Sequence, residues 1–219
     1  TVADLRTGKG KKKFTQVTAN TEEEAHAASV AGIDMMICNA HNVEPVRQGN
    51  SELFLTAALG IPDYPTDSDI LEGAFKALSI GADAIMTARS ITIVELLAKE
   101  EIPVMGHLGL VPRKSTWVGG LRAVGTSANE AFDLFKKFRR LEDAGAFSVE
   151  AEVIPGQVME EISKRSGLIT VSLGSGLGGD VMYLFMQDIC GEKQKAPRHA
   201  KAFGNLWKLY QQKRKWLIF

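Results

Sequence analysis

Three helix stops of one form recur along the chain, at Ala31-Gly32, Ile80-Gly81 and Ala144-Gly145, each followed by a short apolar run. A glycine there ends a helix, and the apolar run behind it starts a buried strand. The order strand, helix, glycine turn therefore repeats from end to end. Parallel strands need a crossover of this kind, so the pattern restricts the chain to an α/β fold with a parallel sheet.

Strands are expected at Phe14–Ala19, Ile33–Cys38, Leu53–Leu59, Ala84–Ala88, from Ile102, at Phe147–Val153 and at Leu168–Leu173. Residues Val181–Met186 read as an eighth strand or as the start of a helix. Between them, Thr21 and Glu24 form a capping box for a helix to Ala31. Asp67 is expected to cap a helix that buries Ile70, Leu71, Ala74, Phe75 and Leu78. A further helix spans Ile91–Lys99. Ser127 opens a long helix with Phe132, Phe135, Phe138 and Leu141 inward, and Pro155-Gly156 turns into one ending near Arg165. Residues Thr1–Lys13 read as a polar lead-in ending in a solvated basic turn, and Asn39–Ser51 as a polar loop. The tail, Pro197–Lys215, reads as a basic helix with Trp207 and Tyr210 inward. The set favours a closed (β/α)8 TIM barrel with an irregular segment near residues 39–53. An open doubly wound sheet stays possible, though the first βα turn lacks G-x-G-x-x-G. The 219 residues suit one domain, 1–219, and would make a short barrel beside the usual ~250.

The 26 basic and 26 acidic residues cancel, which argues against electrostatic capture of nucleic acid or a membrane surface. No apolar run reaches about 18 residues, and no apolar leader opens the chain. Cys38 and Cys190 have no metal-type spacing, as in proteins of a reducing compartment. A cytoplasmic protein is expected.

The most informative stretch is Ile102–Pro112, IPVMGHLGLVP. A strand broken at Gly106 and again at Gly109 would present His107 at its C-terminal tip, the edge where parallel α/β folds bind ligands. A histidine capped within a tight turn of the core is the plain alternative.

This stretch, with Gly119-Gly120-Leu121-Arg122-Ala123-Val124-Gly125 behind it, resembles the ketopantoate hydroxymethyltransferase family of the phosphoenolpyruvate mutase/isocitrate lyase superfamily of TIM barrels. The likeness extends to Thr1–Arg6, to Ala144-Gly145-Ala146-Phe147 with Glu152-Val153-Ile154-Pro155, to Leu173-Gly174-Ser175-Gly176 with Asp180 and Gln187-Asp188, and to Pro197–Phe203. A loop and helix of the family are missing between Val43 and Leu53.

The resemblance implies an aldol addition. A 2-oxo acid chelated to Mg2+ loses its C3 proton to a glutamate, and the enolate attacks a one-carbon unit of methylenetetrahydrofolate. Glu152 matches the base and His107 the family histidine. An ion pair with Arg89, Arg113 or Arg122 is the alternative role for Glu152. Family members are homo-oligomers, and the apolar end Trp216-Leu217-Ile218-Phe219 fits docking on a neighbour or on its own barrel.

The family's metal side departs from this pattern. Ala40 and Ala58 stand at its two aspartate positions, and Met86 and Ala88 replace a lysine and a glutamate. Mg2+ needs oxygen ligands, and alanine offers none. The expectation is therefore an altered, metal-free site for a small 2-oxo acid or related carboxylate. Glu152 is its base and His107 orients the substrate. Arg89, with Ser175, Gly174 and Gly176, would hold the acid group, and Arg89 or His41 would supply positive charge. A softer metal on His41, Glu44 and His107, a barrel that only binds, and an ordinary Mg2+-dependent hydroxymethyltransferase are the alternatives.

Overall fold

A computed structural model describes residues 1–216. They fall into two compact units, Thr1–Tyr183 and the segment from Leu184 onward.

The first unit is a closed barrel of parallel strands in sequence order. Its strands are β1 (Phe14–Thr18), β2 (Met35–Asn39), β3 (Phe54–Leu59), β4 (Ala84–Thr87), β5 (Val104–Gly109), β6 (Ser148–Glu152), β7 (Ile169–Leu173) and β8 (Val181–Leu184), the last crossing the unit boundary by one residue. The uncertain Val181 segment is thus the eighth strand. The chain-order helices are α1 (Val2–Gly8), α2 (Glu22–Val30), α3 (Val43–Gly49), α4 (Asp67–Ile80), α5 (Ile91–Lys99), α6 (Ala128–Asp143) and α7 (Gly156–Lys164). In the second unit, α8 (Met186–Cys190) and α9 (Leu206–Trp216) follow. No helix among the described residues is long and apolar enough to cross a membrane.

The helix ends follow the sequence. Ser127 accepts a hydrogen bond from the Glu130 N–H; the cap of α4, expected at Asp67, is instead Thr66, whose hydroxyl forms a reciprocal capping box with Asp69 and leaves Asp67 as the first helical residue. Gly32, Gly81 and Gly145 all take the left-handed conformation that the repeated stop requires. The parallel register pairs His107 with Glu150, Glu150 with Val171 and Val171 with Val181. Alternate residues of a strand face opposite sides. Gly106 faces Leu141 of α6, so Met105, His107 and Gly109 face the barrel interior. Glu150 and Glu152 lie on the same interior face of β6.

Several expectations are corrected. The lead-in contains α1, capped by Thr1 and anchored through buried Leu5. The polar loop at 39–51 contains a 3-10 turn, Ala40–Asn42, and then α3, because Val43 and Val46 bury one helical face. Strand β5 does not break at Gly106. It runs through His107 to Gly109, since both glycines stay in register with β6, Gly106 opposite Val149 and Gly109 opposite Glu152. Phe75 and Phe132 are exposed rather than inward. The buried stripe of α6 is Leu134, Phe138 and Leu141; Phe132 lies off it, with the Lys136 ammonium over its ring. The helix expected at Pro197–Lys215 begins only at Leu206, and Trp207 and Tyr210 are exposed on it. Leu217, Ile218 and Phe219, expected to dock, lie outside the described residues, as does the Trp216 side chain.

Candidate active site

Strands β5 and β6 bring His107, Glu150 and Glu152 together inside the barrel. His107 Nε2 lies 3.0 Å from Glu152 Oε2, in hydrogen-bond contact, and 3.6 Å from Glu150 Oε1. The side chains are 6%, 13% and 5% exposed for His107, Glu152 and Glu150, so water screens the charges weakly. Burial opposes the imidazolium. Even so, the Glu150 charge, the hydrogen bond and charge of Glu152 and a hydrogen bond with the Leu110 backbone hold His107 above its ordinary value. Burial pushes the Glu150 carboxyl up, opposed by His107 and reinforced by the Glu152 charge. The cluster therefore sets two carboxyls beside one imidazole, of which Glu152 is the hydrogen-bonded partner, a composition suited to moving a proton to or from carbon.

The backbone fixes Glu152 from both sides. Val153, the next residue, has φ 49°, a left-handed conformation that is an outlier for a β-branched residue. Its N–H donates to the Leu173 carbonyl of β7 at 2.9 Å, and its own carbonyl accepts from the Val124 N–H at 3.1 Å. On the β5 side, the Leu110 N–H donates to the Glu152 carbonyl at 2.8 Å. A Cβ on Gly109 would stand 2.2 Å from that carbonyl oxygen, and Gly109 has φ 88°. Only glycine permits this approach.

The other expected site residues lie elsewhere. Ser175 is fully buried; its hydroxyl donates to the Ala151 carbonyl and accepts from the Ile154 N–H. It braces the ends of β6 and β7 and offers nothing to an acid group. Gly174 and Gly176 are the left-handed corners of the same loop. Arg89 donates to the Tyr64 and Thr66 carbonyls and lies 3.7 Å from Asp67, so its guanidinium is engaged by the β3–α4 loop. His41 is exposed in the turn after β2. The set His41, Glu44 and His107 is not brought together. Cys38 is no nucleophile, as burial pushes its thiol up to about 12 despite the Arg47 charge.

Glu150 escaped the sequence reading. Its signal was the alternation of FSVEAEV, which places it two residues from Glu152 on the same face.

Ala58 pairs with Asn39 and Met86, which puts its methyl on the interior face. Ala40 is buried, and Ala88 directly follows β4. None of these side chains offers an oxygen, so the positions that the resemblance assigns to the family's Mg2+ ligands do not suit the ion. The ligand atoms of His107, Glu150 and Glu152 all lie within 4.8 Å of one another and could hold a cation. An imidazole with two carboxylates suits a transition metal better than Mg2+.

The model of the family described as ketopantoate hydroxymethyltransferase matches residues 39–215. The 3-methyl-2-oxobutanoate hydroxymethyltransferase of Thermotoga maritima is 30% identical, over 95% of this chain and 87% of its own. The protein of the same name from Thermus thermophilus is 29% identical, over 97% and 91%. Among solved structures, phosphoenolpyruvate phosphomutase from Streptomyces platensis subsp. rosaceus superposes with TM-score 0.68 at 10% identity, over 99% of this chain and 86% of that one. For 2,3-dimethylmalate lyase the values are 0.63 and 11%, over 98% and 84%. At such identities the structures share the barrel fold.

Proposed function

Given that the chain belongs to the ketopantoate hydroxymethyltransferase family, we propose that it enolises a small 2-oxo acid for carbon–carbon bond chemistry, with a site rebuilt on β5 and β6. The observation that carries this reading is the 3.0 Å contact of His107 with Glu152 beside a second buried carboxyl. Glu152 takes a proton from C3 of the substrate. The C3–H electron pair becomes the C2–C3 double bond of the enolate, and the negative charge moves to the C2 oxygen. His107, whose cationic form is favoured by the Glu150 and Glu152 charges, orients Glu152 and offsets the developing charge. The Glu150 carboxyl acts on the site through its charge on His107. The enolate then attacks a one-carbon electrophile or regains a proton. Methylenetetrahydrofolate is the donor that the family likeness suggests.

No step is routed through Mg2+, because Ala40, Ala58 and Ala88 supply no ligand. These same alanines favour a second reading, a barrel that binds a carboxylate metabolite without turning it over.

The test is hydrogen–deuterium exchange at C3 of 2-oxoisovalerate, followed by NMR in EDTA and then with Mg2+. Exchange in EDTA, abolished by Glu152→Gln, is the expected result. Exchange only with Mg2+ overturns the metal-free site. Exchange in neither condition overturns enolisation of this acid and favours the binding barrel. A homo-oligomeric, cytoplasmic, single-domain protein is proposed alongside, in line with the family resemblance and with two cysteines that have no metal-type spacing.

A further inference from the structure

A cavity of about 320 Å3 lies beside β5 between α5, α6 and the segment 111–124. That volume suits a small molecule. Its floor is apolar, with Val94 of α5, Leu108 of β5, and Leu134 and Leu141 of α6. His107 borders it, but Gly106 and Leu141 place the floor on the helix side of the strand.

The charged lining is cationic and contains no carboxylate: Arg89, Lys114, Lys137 and Arg140. Among the described residues, no acidic side chain pairs with Lys114, Lys137 or Arg140; Lys114 donates only to the Ala88 carbonyl. Burial and the neighbouring Arg89 charge hold Lys114 below its ordinary value. Like charges gathered in a half-buried crevice repel unless an anion joins them. The N-terminus of α5 opens onto the same space through Ser90 and Ile91, and the Ser90 side chain makes no capping bond. The first-turn N–H groups ahead of Ile93, whose own N–H donates to the Ser90 carbonyl, add donors for an oxyanion.

We propose that this cavity binds a small organic phosphate, its phosphoryl group at the cationic lining and its apolar part on the Val94, Leu134 and Leu141 floor. A phosphate monoester is dianionic near neutral pH and carries three acceptor oxygens, which matches several converging donors better than one carboxylate does. The apolar floor calls for a body beyond the phosphate. The site lies on the helix side of β5, across the strand from the Glu150 and Glu152 carboxyls, and does not depend on the enolising reading.

Phenyl phosphate is the probe, titrated by calorimetry beside inorganic phosphate and phenol. The expected result is saturable binding with Kd of about 1 mM or tighter, weaker binding of both controls, and a loss of affinity with salt. The double variant Lys137→Ala/Arg140→Ala changes two exposed residues and keeps the fold; it should weaken binding about tenfold or more. Lys114→Met should do the same. Absence of saturable binding, equal affinity for inorganic phosphate, or an unaffected double variant would each overturn the proposal. C3 exchange measured on the same variants separates the two sites, since it should not change.

Discussion

His107 and Glu152 are not register partners, yet their side chains meet. His107 pairs across the sheet with Glu150, and Glu152 with Gly109. The contact is thus diagonal, and it exists because Gly109 brings no side chain into the space between. The imidazole lies between two carboxyls of one strand, 3.0 Å from one and 3.6 Å from the other.

The base assignment gives the first expectation. Glu152→Gln keeps the shape and removes the proton acceptor, so C3 exchange should fall about 10²- to 10⁴-fold, with the unfolding midpoint little changed. An unchanged exchange rate would refute the role.

Glu150 is expected to act through His107. Its charge is the largest influence raising the imidazole. In Glu150→Gln the His107 titration, followed by imidazole NMR, should move down towards the ordinary histidine value of about 6.5. A histidine that titrates unchanged would show that the two groups are not coupled.

At the other end of the barrel, Lys9 donates to Asp180 at 2.7 Å, with side-chain exposures of 22% and 6%. Burial works against the Asp180 charge, but the Lys9 and Thr170 hydrogen bonds and the Lys9 charge hold its carboxyl below the ordinary 3.8. A depressed folded value stabilises the native state above the unfolded value. That stability is lost as pH falls through the folded one. Lys9→Met leaves a buried carboxylate unpaired and should cost about 3 kcal/mol near neutral pH, with less loss in acid. Urea unfolding at the two pH values measures this, and equal losses would exclude the pairing.

Two glycines of β5 should respond differently. A Cβ on Gly106 would meet the Leu141 methyls at 2.6 Å, flexible groups that can shift. Gly106→Ala should therefore lower stability by about 1–3 kcal/mol and leave a working site. Gly109→Ala would strike the Glu152 carbonyl from a left-handed position, so exchange should be lost even in the folded fraction. Equal exchange in the two variants, measured per folded protein, would contradict this.

The barrel was legible because its signals are local. Glycine stops, caps and strand alternation depend on neighbours in the chain, and Ser127, Gly81 and the first seven strands follow them, while the Val181 segment was readable as strand or helix. His107 and Glu152 were legible through their motif. Glu150 and the role of Ser175 were not, since both depend on which strand lies alongside. A serine in a glycine-rich turn reads as a ligand until the Ala151 carbonyl and the Ile154 N–H are seen to occupy it. Helix α3 was hidden for another reason. Two valines among polar residues make a weak periodic signal, and only packing makes a helix of them.

The strained corner at Val153 bears on motion as well as placement. A left-handed β-branched residue stores energy of order 1–3 kcal/mol, kept in place by the ties to Leu173 and Val124. The barrel mouth next to Glu152 is in effect a loaded spring. Local opening should release it first, so the amide of Val153 should exchange with solvent well before the strand interiors. Loss of the carboxylate's aim would then precede unfolding of the barrel, and inactivation by heat would run ahead of melting.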